Sequence, residues 1–94
     1  MNKFVIAIAG GTPPIRNAIT NFVKDEFYYW HWLPDVWLLT TSRAVSAEEI
    51  RDALMSLVPG LFVFVTPVAS PPRGLFWAMY GPEEWAEWLD KNWR

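Results

Sequence analysis

The chain has no cysteine, a single histidine, no carboxylate before Asp25 and no surplus of basic residues. Each gap removes a class of chemistry. Without cysteine there are no disulfides and no thiolate metal ligands, a composition that suits a cytoplasmic protein. One histidine in a cysteine-free chain does not build a conventional zinc site. Lysine and arginine number 8 against 10 aspartates and glutamates, a net charge of −2, so the basic balance that draws a protein to a phosphate backbone is missing. No apolar run approaches membrane-spanning length. The run from Phe4 is also too short for the apolar region of a signal peptide and reads as a central strand instead.

What is present is apolar surface. The 94 residues are 52% hydrophobic and only 19% charged, which argues against disorder. They read as one domain, residues 1–94, able to bury roughly 60–65% of the surface that its unfolded chain exposes. A chain this small does not easily hide so much apolar area, and the excess points to a homodimer.

Phe4 to Ala9 is continuously apolar and ends at Gly10-Gly11, the pattern of a strand covered on both faces. Thr12 offers a hydroxyl N-cap, Pro13 suits a first helical turn, and Ile15, Ala18, Ile19, Phe22 and Val23 recur at helical spacing. Tyr28 to Leu33 reads as an edge strand, Pro34-Asp35 as a turn, and Val36 to Thr41 as a second, central strand. The next helix opens with a capping box, Ser46 and Glu49, flanked by a Val45/Ile50 staple, and stops at Pro59-Gly60. Leu61 to Val65 is a further apolar strand, which the nearby Pro67 confines to an edge or takes out of the ladder. A Pro71-Pro72-Arg73-Gly74 turn and an extended piece from Leu75 to Tyr80 lead to a final helix opened by Pro82. In that helix Trp85, Trp88, Leu89 and Trp93 share one face, with Glu83 and Glu84 at its start and Lys91 and Arg94 near its end.

The order β-α-β-β-α-β predicts an α+β, ferredoxin-like fold: an antiparallel sheet with two helices on one face, plus a C-terminal Trp-rich helix. Because two helices cover one face only, either the tryptophan-rich tail or a second copy must cover the other.

Four stretches carry a family resemblance: Val36 to Thr41 (Val-Trp-Leu-Leu-Thr-Thr), Ser46 to Leu54, Leu61 to Val65, and Pro82 to Leu89 with its Trp-x-x-Trp-Leu ending. Together they resemble small ferredoxin-like proteins related to the dimeric CRISPR adaptation subunit and the VapD-type ribonucleases. The resemblance implies a homodimer and, for some members, metal-dependent nuclease activity using an aspartate at or just after the end of the first strand. Here that region reads Ala7-Ile8-Ala9-Gly10-Gly11-Thr12, so the carboxylate site does not carry over.

Other candidates are weaker than their ordinary readings. Gly10-Gly11-Thr12 lacks the spacing and lysine of a phosphate loop, and Pro13-Pro14 removes two N–H donors, leaving a tight strand-to-helix turn. His31 and Asp35 stand four residues apart, about 13 Å along an extended strand unless the turn shortens it. Glu83, Glu84, Glu87 and Asp90 read as the solvated face of the last helix. Arg43, Arg51 and Arg73 are scattered and do not form a nucleic-acid patch. No catalytic, metal or cofactor residue is assigned. The interface candidates are Tyr28, Trp30, Trp32, Trp77, Trp85 and Trp88. The expected function is that of a non-catalytic dimeric protein-interaction module, as in a phage or mobile-element protein that blocks a host factor. The alternatives are a divalent-metal ribonuclease drawing on Asp25 or Asp35, and a nucleic-acid binder without cleavage.

Overall fold

The computed structural model describes residues 2–69 and 77–93. Its elements run β1 (Asn2–Ile8), α1 (Pro13–Glu26), β2 (Tyr28–Leu33), β3 (Val36–Thr41), α2 (Ala47–Leu57), β4 (Val63–Pro67) and α3 (Glu83–Asn92). The strands form a four-stranded antiparallel sheet in the order β2-β3-β1-β4, so the architecture is α+β.

Both central strands carry unbroken apolar runs, as strands with both faces covered do; the edge strand β4 is apolar as well, and there the position on the uncovered face, Phe64, stays exposed. Phe4 and Ile6 of β1 and Trp37 and Leu39 of β3 turn to one face. There they meet Ile19 and Val23 of α1 and Ile50 and Leu54 of α2 in the main core. Val5 and Leu38 turn the other way and join Trp30 of β2, with Leu89 and Trp93 of the tail, in a second core. The tail thus covers part of the face that α1 and α2 leave open. At roughly 1.5–3 kcal/mol per fully buried large apolar side chain, docking α3 there is strongly favoured over leaving those rings wet.

Local chemistry accounts for most of the boundaries. Ser46 Oγ accepts from the Glu49 N–H and Glu49 Oε1 accepts from the Ser46 N–H, both at 3.1 Å, which closes the expected capping box on α2. Past the end of α2, Gly60 has a φ of 83°, the left-handed region open to glycine. At α1, by contrast, the Thr12 hydroxyl makes no capping bond. Pro14 removes the second-position N–H, one of the two donors that it would have met, and only the Thr12 carbonyl is engaged, by the Arg16 N–H at 2.9 Å.

The last strand is displaced by two residues from the expected Leu61 to Val65. Leu61 donates to the Val58 carbonyl and belongs to the turn after α2, so the ladder opens at Val63 and runs through Pro67 opposite Phe4. Proline is tolerated there because β4 is an edge. Of the extended piece expected from Leu75 to Tyr80, residues 77–80 are irregular. Leu75, and the Pro71 to Gly74 turn with Arg73, lie outside the described residues.

Candidate interaction surfaces

Side chains alternate along a strand, so Tyr28, Trp30 and Trp32 of β2 share the face on which α3 sits. Trp30 is only 5% exposed and donates from Nε1 to the Trp85 carbonyl at 3.1 Å. In return Trp93 Nε1 donates to the Leu39 carbonyl at 3.0 Å. Indole N–H groups are costly to bury unpaired, so these two reciprocal bonds hold helix to sheet in one register. The Trp85 ring meets Trp30 edge-on (6.2 Å, 89°) and lies parallel to Trp32 (5.5 Å, 9°). Trp32 remains 51% exposed and Tyr28 64%.

An open groove of about 430 Å³ runs beside this stack, lined by Tyr29, Trp30, His31, Trp32, Glu84 and Trp88. Four consecutive residues of one strand have side chains on opposite faces, so what they present in common is the strand's backbone edge. The groove therefore lies along the outer edge of β2, with the first turns of α3 as its second wall. The ladder between β2 and β3 shifts register between Trp30 and Leu33, so the strand is bent beside the groove.

On the opposite face of β2 and in the turn after it, the titratable residues are committed to structure. His31 stacks on the fully buried Trp37 at 4.1 Å. Its Nε2 lies 2.7 Å from the Pro34 carbonyl, which can only accept, so Nε2 carries the proton and donates. Its Nδ1 faces Thr20 Oγ1 at 3.4 Å, and the same hydroxyl accepts from Trp37 Nε1 at 3.1 Å. Both ring nitrogens are thus turned to neighbours in the fold, and neither is aimed into a cleft as a general base would be. Asp35 does not meet His31. Its Oδ1 accepts from Arg16 Nε at 2.9 Å, while Arg16 Nη2 donates to the Gly11 carbonyl at 3.0 Å, pinning the loop after β1 to the β2–β3 turn. A Cβ at Gly11 would collide with that carboxylate. Gly10, at a φ of 67°, supplies the left-handed residue of the turn.

The far edge carries a second surface. In β4, Val63 and Val65 pack on the main core, while Phe64 turns to the opposite face beside Ala7. The helix α3 does not reach it: Phe64 is 63% exposed and Phe62 80%. A shallow apolar hollow lined by Ala7, Ile8, Ala9, Phe62, Val63 and Phe64 adjoins them.

Of the six interface candidates, Tyr28 and Trp32 are exposed and Trp85 and Trp88 are half-buried. Trp30 is enclosed by the chain's own tail, and the half-buried Trp77 packs against that same cluster. Phe62 and Phe64 were not among the candidates. The signal available for them was an uncharged run ending at Pro67, since an edge strand has one paired side only. Glu84, by its spacing a residue of the solvated helix face, lines the groove. Arg16, Arg43 and Arg51 each pair with a carboxylate: Asp35, Glu26, and both Glu48 and Asp52, respectively. Among the described residues no group of three or more histidines, aspartates or glutamates is placed to hold a metal ion, and no helix is long and apolar enough to cross a membrane. Comparison of the chain with protein-family models, curated proteins and solved structures finds no match.

Proposed function

We propose that this chain is a non-catalytic interaction module of ferredoxin-like topology that works as a homodimer and acts by protein contact. The observation that carries the reading is the exposed pair Phe62, just before β4, and Phe64 within it, on an edge strand with no charged residue to discourage pairing. An antiparallel pairing of β4 with its copy, in the register whose two-fold axis passes at Phe64, brings Phe64 against its equivalent and continues the sheet across both chains. The strand order, with both crossover helices on one face, supports the ferredoxin-like assignment. The absence of a carboxylate in the loop after β1, together with the structural commitments of His31 and Asp35, supports a role without catalysis.

Sedimentation equilibrium tests the dimer directly. The expected result is a dimer at micromolar concentration that Phe64→Asp converts to monomer with an unchanged far-ultraviolet spectrum. A wild-type monomer at high micromolar concentration would refute it. Incubation with labelled RNA and magnesium or manganese is expected to leave the RNA intact; cleavage lost in Asp35→Asn would replace this reading with a metal-dependent ribonuclease.

A further inference from the structure

We infer that the groove along the outer edge of β2 receives an extended, cationic segment of a partner protein. The segment adds as a fifth strand, and a lysine or arginine side chain sits between Trp32, Trp88 and Glu84. This deepens the interaction-module reading and rests on it.

Three features of the groove specify the occupant. Its floor is the unpaired edge of a strand, whose outward N–H and C=O groups are satisfied by another strand. Its upper wall is aromatic: Trp32 is half-exposed and held parallel to Trp85, so the ring that meets the guest is already fixed in place at little entropic cost. Glu84 adds a carboxylate that has no cationic partner among the described residues. Indole faces beside a carboxylate favour an ammonium or guanidinium group, through the ring quadrupole and through direct charge attraction.

Charge excludes the other occupants of such an edge. A second copy in antiparallel register would bring the two α3 helices together, each presenting Glu83, Glu84 and Glu87. A nucleic acid would set phosphates against the same carboxylates. A basic strand meets neither obstacle, and alternation along it places every second side chain on the tryptophan side.

The probe is an acetylated, amidated ten-residue peptide alternating threonine and lysine, titrated into ¹⁵N-labelled protein. Saturable shifts confined to the amides of residues 28–33 and the indoles of Trp32 and Trp88 are expected. Affinity should fall at least about tenfold in Glu84→Lys, the size of one desolvated cation contact, with a parallel loss in Trp32→Ala. Glu84 is exposed, so its substitution leaves the fold to be verified from the same spectra. The inference is overturned by an absence of shifts at millimolar peptide, by equal shifts with a threonine–glutamate peptide, or by binding indifferent to Glu84→Lys. Concentration-dependent shifts of residues 28–33 without peptide would overturn it in favour of a second copy. If the groove fails while Phe64→Asp still dissociates the dimer, the interaction-module reading stands and only the cationic strand is withdrawn.

Discussion

The sheet ends in two edges that carry no charged residue of their own, and they are finished in different ways. Along β2 the edge is bent by a register shift, roofed by α3 and bordered by Glu84. Along β4 it is unroofed on the α3 side, and Phe64, with Phe62 just before the strand, stands exposed there. A bent edge next to a carboxylate resists indiscriminate pairing and selects its guest, whereas a plain apolar edge pairs with whatever matches it, most readily its own copy. The two surfaces are therefore suited to different partners, and substitutions on one should leave the other intact.

The largest separation is expected from Phe64→Asp. Two carboxylates forced together across a two-fold axis should weaken self-association by at least about a hundredfold, since like-charge juxtaposition costs several kcal/mol. Peptide binding at β2, followed in the same sample by tryptophan fluorescence, should not move. Trp85→Ala attacks the opposite edge: it removes the ring that supports Trp32 and flanks Trp30. A loss of about 2–3 kcal/mol in urea unfolding is expected for this half-buried ring, with the β4 dimer retained in sedimentation. If the dimer dissociates instead, the two edges are coupled through α3 and the contrast between them fails.

Thr20→Val serves as a control lying between the edges. It leaves the buried Trp37 N–H without its acceptor, which should cost about 1–3 kcal/mol, measured by chemical denaturation, and alter neither association nor peptide affinity. The smallest effect is expected from Asp35→Asn. The Arg16–Asp35 pair is about a third exposed on each side, so its loss should change stability by about 0.2–1 kcal/mol. A much larger change would mean that the loop after β1 is held chiefly by this pair.

Much of the fold was legible in particular residues. The unbroken apolar runs of β1 and β3 marked them as central. Ser46 and Glu49 marked the start of α2 to the residue, because a capping box is a local hydrogen-bond pattern that needs no tertiary contact. The absence of the Thr12 cap has an equally local reason: Pro14 removes one of the two N–H donors that the hydroxyl would have used. The candidate surfaces were less legible. Trp30 and Trp32 stand two apart on the same face of the same strand, yet one is buried and the other half-exposed. That difference depends on where α3 comes to rest, which no spacing within β2 encodes.

By itself, then, the amino-acid order determined the elements and their sequence, the two central strands, and the absence of a first-strand carboxylate and of cysteine chemistry. These follow from interactions between near neighbours and from composition. Only the tertiary structure decided that the tail docks over β2 and β3 and stops short of β4. Burial is a property of what packs against a side chain, so two phenylalanines in an ordinary apolar run became a surface, and a glutamate on a solvated helix became the wall of a groove.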